Sequence, residues 1–120
     1  MTSEWRKARI AKNETSFRDI NERLDQGLRR VRHAPELQEF VCECGDRECE
    51  AMVSLTFGEY EDVRRDSRRF AVVPGHVFPE TERVVIRHAR YEVLEKFGKA
   101  VEYADAADQR APGTGGRRDP

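Results

Sequence analysis

Apolar residues in the first thirty positions recur at a helical interval. Ile10, Phe17, Leu24 and Val31 fall seven residues apart, and Ile20 and Leu28 fill the same side. Arg18, Asp19, Asn21, Glu22, Arg23 and Asp25 take the other positions, which is the pattern of an amphipathic helix with one narrow apolar stripe. The spacing predicts a long helix, or two in succession, over residues 3–32. Asn13-Glu14-Thr15-Ser16 offers an internal cap before Phe17. Gly27 marks a bend, since glycine weakens a helix by about 1 kcal/mol relative to alanine. Pro35 ends the helix by removing a donor and restricting the residue before it.

Beyond Pro35 the elements shorten. Residues 36–41 read as a strand running into a cysteine-rich turn, and residues 52–55 as its partner. Thr56 and Glu59 form a capping box at the start of a short helix, with Leu55 and Tyr60 as its hydrophobic staple. That helix ends near Arg65-Asp66 with Tyr60 and Val63 facing inward. Residues 70–73 are β-branched enough for a strand, which Pro74-Gly75 stops. Residues 82–87 and 91–96 suit a hairpin, Gly98 ends it, and residues 100–110 have the makings of a loose helical turn. The fold class expected is α+β: a long N-terminal helix packed on a small antiparallel sheet, with a zinc-bearing turn and one short helix. The chain divides into an N-terminal amphipathic helix (1–34), a zinc-stabilised core (35–100) and a C-terminal tail (101–120). From residue 111 the tail is too poor in apolar residues to order itself.

The 120 residues are 38 % hydrophobic and 38 % charged, so the core is small for the length and calls for a metal or a partner surface. No run reaches the roughly 18 apolar residues of a membrane span, and the N-terminus lacks a signal-peptide pattern; the expectation is a cytoplasmic protein with no membrane association. Net charge is −1 but unevenly spread: residues 1–34 carry nine basic and five acidic groups, residues 35–62 one basic and nine acidic. Arg64, Arg65, Arg68 and Arg69 then crowd one stretch, a local basic surface that phosphate contacts would need.

All three cysteines lie within eight consecutive residues, as Cys42-x-Cys44-x4-Cys49. An odd number of thiols argues for metal or redox chemistry over a disulfide framework. Zinc takes four tetrahedral ligands, usually cysteine sulfur and histidine nitrogen, and Gly45 lets the turn aim backbone amides at the sulfurs. The bland alternative is that the cysteines are small buried hydrophobes, which does not account for Cys49 among charged residues. His33, His76 and His88 compete for the fourth position. His76 is preferred because the forced Pro74-Gly75 turn aims it, whereas His88 falls at a hairpin tip and His33 at a helix end. Glu43 and Glu48 adjoin ligands but read as solvated. No deaminase, phosphate-loop, nucleophile-elbow or His-Glu-x-x-His motif occurs, so a closed structural zinc site is expected and an enzyme is not.

Cys42-Glu43-Cys44 with Cys49, Leu55-Thr56 with Glu59-Tyr60-Glu61 and Val63-Arg64, Arg69-Phe70 with Val72 and Pro74-Gly75-His76, and Tyr91 with Val93, Glu95-Lys96 and Gly98 together resemble a group of short proteins from high-GC Gram-positive bacteria that has no established function. The likeness spans residues 13–98. It implies that the cysteines and the Pro-Gly-His segment are a zinc set, in agreement with His76, and implies no activity.

The leading expectation is therefore a non-enzymatic, zinc-stabilised interaction or regulatory module that binds a protein partner, with Ile10, Phe17, Ile20, Leu24 and Leu28 as the partner-binding stripe. One alternative is a nucleic-acid-binding zinc domain using Arg64, Arg65, Arg68 and Arg69, aided by Arg29, Arg30 and Arg32. Another is a thiol and zinc redox sensor, in which oxidation ejects the metal. Oligomeric state is left open.

Overall fold

A computed structural model describes residues 2–28, 36–108 and 110. Helix α1 (Thr2–Leu28) is followed by strands β1 (Leu37–Val41) and β2 (Met52–Thr56), helix α2 (Phe57–Arg64), strands β3 (Arg69–Val72), β4 (Glu82–Arg87) and β5 (Glu92–Lys96), and helix α3 (Ala100–Ala106). The expected α+β architecture holds, with its strands divided between two antiparallel sheets: β1-β2, and β3-β5-β4. The breaker Pro35, the cations Arg29, Arg30 and Arg32, His33, the Leu28 side chain and the tail from residue 111 lie outside the described residues. Among the described residues no helix is long and apolar enough to cross a membrane.

Local chemistry accounts for the short elements. At the start of α2, Thr56 Oγ1 accepts the Glu59 amide at 3.0 Å while the Glu59 carboxylate accepts the Thr56 amide at 2.9 Å. This reciprocal pair satisfies two donors the helix would otherwise orphan. Leu55 and Tyr60 enter the same buried cluster, with Phe40, Val53, Val63, Ala71 and Val93. The β4–β5 hairpin carries a register shift between Val84 and Ile86. By the alternation of a strand, Val84 packs on the cysteine-side cluster with Val72 and Leu94, while Val85 packs on the Phe40–Tyr60 cluster. The three-stranded sheet is covered on both faces.

The contact face of α1 differs from the expected stripe. Ile10 and Ala11 are buried, but so are Glu14, Thr15, Arg18, Asn21, Glu22 and Asp25. These positions keep the three-and-four helical spacing with polar chemistry. Phe17 and Leu24 are half-buried and Ile20 is 40 % exposed. The polar face is accepted inside because Glu14, Arg18, Asn21, Glu22 and Asp25 meet partners across the interface, and Thr15 donates to Lys12 O of its own helix. Arg18 donates to Ser67 O and Ala104 O, at 2.6 and 2.9 Å, and lies 4.5 Å over the Phe70 ring. Asn21 brackets Val41, accepting its amide at 2.7 Å and donating to its carbonyl at 2.8 Å. Glu22 pairs with Arg64 and Arg110, and Glu14 with Lys96. Arg18, Asn21 and Glu22, read from sequence as lying off the apolar stripe, thus hold α1 to α3, β1 and α2, and Glu14, read as part of an internal cap, holds it to β5.

Candidate metal centre

The β1–β2 connection closes when the Cys42 amide donates to Ala51 O at 3.0 Å, and tightens when the Cys49 amide donates to Asp46 O at 3.0 Å. The Asp46 carboxylate accepts the Glu48 amide at 3.0 Å, the side-chain turn that aspartate favours. This compact loop brings Cys42, Cys44 and Cys49 to one side. The fourth donor arrives from the end of β3, where the His76 amide donates to Val73 O at 3.0 Å. Pro74 and Gly75 are the central residues of that turn and Gly75 has φ +92°, the left-handed conformation a type II turn requires at its third position.

The ligating atoms of Cys42, Cys44, Cys49 and His76 all lie within 4.8 Å of one another. His76 Nδ1 is 3.5 Å from Cys42 Sγ and 3.7 Å from Cys49 Sγ. A tetrahedron with Zn–S arms of about 2.3 Å has corners about 3.8 Å apart, so the four are close enough to hold a metal ion. Cys42 and Cys44 are buried, and Cys49 and His76 half-buried. A set of three thiolates and one imidazole around a divalent cation carries net charge −1, and a backbone amide faces each sulfur to offset it. The Val73 amide donates to Cys42 Sγ at 3.2 Å, the Asp46 amide serves Cys44, and the Ala51 amide serves Cys49. Cys44 is held low, at about 5, first by the hydrogen bond from Cys42 and then, against its burial, by the Asp46 amide. Cys42 is pushed up by donating that bond and by burial.

Glu43, read from sequence as solvated, is fully buried. Its backbone amide donates to Ala71 O at 2.9 Å and its carboxylate accepts the Ala71 amide at 3.0 Å. It thus covers the free edge of β3, which would otherwise present unpaired groups. The same carboxylate accepts Tyr60 Oη at 2.7 Å and Asn21 Nδ2 at 2.8 Å. One side chain between two ligands therefore ties the metal loop to β3, α2 and α1. The alternation was its signal: if Cys42 and Cys44 share one side of an extended segment, Glu43 points the opposite way, inward. Glu48 is exposed, as expected. His88 is exposed too, stacked on Tyr91 at 4.7 Å, well placed for neither metal nor core.

The four arginines of the expected basic cluster are not brought together. Arg64 is 3 % exposed, its guanidinium held by Glu22 and Asp108, because its position on α2 faces α1. Arg65 is exposed beside Asp62, at 3.3 Å. Arg68 pairs with Asp66 at 3.0 Å and Arg69 with Glu95 at 3.2 Å. Only Arg65, Arg68 and Arg69 reach the surface, each beside a carboxylate.

Compared with family models, curated proteins and solved structures, the chain matches none.

Proposed function

We propose that this protein is a non-enzymatic interaction module pinned by one structural zinc ion, and that it acts by binding a protein partner. The observation that carries this reading is the convergence of Cys42, Cys44, Cys49 and His76 at the junction of the two sheets. Four protein donors complete a tetrahedron and leave no position for water or substrate, which is the arrangement of structural zinc. Thiolate-rich sets with imidazole also favour zinc over harder cations. The site fastens the β1–β2 loop to the end of β3, segments remote in the chain, so metal binding contributes directly to folding. A protein partner is favoured over nucleic acid through residues 64–69 because Arg64 is sequestered and its neighbours are already paired.

Elemental analysis of the purified chain tests the metal. One zinc per chain is expected, with loss in Cys42→Ser, Cys44→Ser and His76→Ala. Metal-free protein that nonetheless folds, or Cys→Ser variants that keep full zinc, would overturn it.

A further inference from the structure

The N-terminal half of α1 and the metal loop do not close against each other completely. Between them lies a cleft of about 510 Å³ bounded by Trp5, Ile10, Phe78, Gly45, Arg9 and Arg47, among others. A second hollow of about 430 Å³ shares Arg9 and Arg47 and continues along the helix past Lys12 to Phe17. The first is large enough to take a bulky side chain, within the roughly 300–1,000 Å³ range of ligand sites. Trp5 stands 63 % exposed at its mouth.

The charges around this cleft are unbalanced. Arg6 is paired with Glu80, but Arg9, Lys12 and Arg47 have no acidic partner among the described residues; the Arg9 guanidinium lies over the Trp5 ring, at 4.8 Å. Arg9 and Arg47 flank an apolar floor of tryptophan, isoleucine and phenylalanine, and Lys12 lines the adjoining hollow. Aromatic residues and arginine at a desolvated pocket are the composition of protein-binding hot spots. A polyanionic strand fits less well, since it brings a charge at every step and no apolar side chain for this floor, while Asp46 also lines the cleft beside the cations.

We propose that this cleft docks an acidic peptide segment of the partner protein, one large apolar side chain entering it while flanking carboxylates meet Arg9, Lys12 and Arg47. The proposal rests on the interaction-module reading and gives the partner's chemistry. It also links docking to the metal. Gly45 packs on Ile10 and Phe78, and its carbonyl accepts Asn13 Nδ2 at 2.8 Å, so the metal loop is one wall of the site.

The test is a selection from a displayed library of random dodecapeptides on the zinc-loaded full chain, followed by titration of the winners. Selected peptides should be enriched in Asp and Glu flanking a large apolar residue, and their binding should change the emission of Trp5, the only tryptophan. Arg9→Glu combined with Arg47→Glu should weaken binding about tenfold or more, as charge reversal does at a complementary interface, while Arg65→Glu leaves it unchanged. Zinc content and circular dichroism are measured on every variant, so a zinc-loaded, folded chain that selects no acidic peptide overturns the cleft and leaves the metal reading standing. Peptide binding indifferent to the double variant overturns it as well. So does oligo(dT) binding that the double variant abolishes in the absence of peptide binding, which would assign the cleft to nucleic acid. Self-association lost in the double variant would assign it to a second copy of the chain and equally overturn a separate partner.

Discussion

A β-carbon built on Gly45 would lie 2.4 Å from Ile10 Cγ2 and 3.1 Å from two Phe78 ring carbons. The Ile10 methyl moves only with χ1, which a helix holds close to one rotamer for a β-branched residue, so the easier response is for the loop to move. Gly45→Ala should therefore destabilise the protein by about 1–3 kcal/mol, the usual cost of overpacking, as read from urea unfolding. Adding Ile10→Ala to Gly45→Ala should recover part of that loss; a strictly additive double variant would mean the two sites do not touch. Asn21 and Glu43 make the complementary point. Each uses a short polar side chain to satisfy backbone groups that no strand reaches, at Val41 and Ala71, so neither behaves as the solvated polar residue that its type alone suggests.

Helix α1 shows how such contacts accumulate along an element. Its buried carboxylates Glu22 and Asp25 face the buried Arg64 of α2 and Arg110 beyond α3. Arg64→Ala would leave the buried Asp108 without its guanidinium and Glu22 with Arg110 alone, and should destabilise by about 3 kcal/mol, whereas Arg65→Ala, on the same helix but exposed, should stay within about 0.5 kcal/mol. Equal effects in chemical denaturation would refute the burial of the network. Glu14 differs in kind. It shares the single Lys96 ammonium with Glu82 of β4, so two carboxyl groups face one cation. Burial, then the facing Glu82, holds the Glu14 carboxyl well above the usual range, against the pull of Lys96. A group raised on folding contributes its full stability below its unfolded value and loses it as pH rises through the folded one. Glu59 and Asp66, lowered by Arg90 and Arg68, act oppositely and lose their contribution on acidification. Glu14→Gln should leave one carboxylate against Lys96, so its unfolding midpoint relative to wild type should rise from pH 5 to pH 8. A difference that is flat or falls with pH would contradict a protonated Glu14.

Over the whole chain, the hydrophobic clusters are modest and the metal loop is where α1, the edge of β3 and the β1–β2 hairpin meet. On the zinc-site proposal, a chelator should therefore loosen the entire fold: loss of cooperative unfolding and a fall in Tm of more than about 10 °C, since about 1 kcal/mol moves Tm by roughly 4–8 °C in a domain of up to about 100 residues and by less in a larger one. A metal-free chain with an unchanged melting curve would sink that expectation. Much of this architecture was legible beforehand because it is encoded by neighbours in the chain. The Thr56–Glu59 capping box, the Pro74-Gly75 corner and the cysteine loop each need only four to eight consecutive residues. The choice of His76 was legible for the same reason, a forced turn aiming a side chain. The buried side of α1 was not, because periodicity reports which positions share a face but not whether a polar face is satisfied. The partners that bury Glu14, Arg18, Asn21 and Glu22 lie at Lys96, Ala104, Val41 and Arg64. Short-range pattern thus specified the elements and the cysteine–histidine cluster, while the packing of α1, the burial of Glu43 and Arg64 and the cleft beside the cysteine loop were decided by groups that only folding brings together.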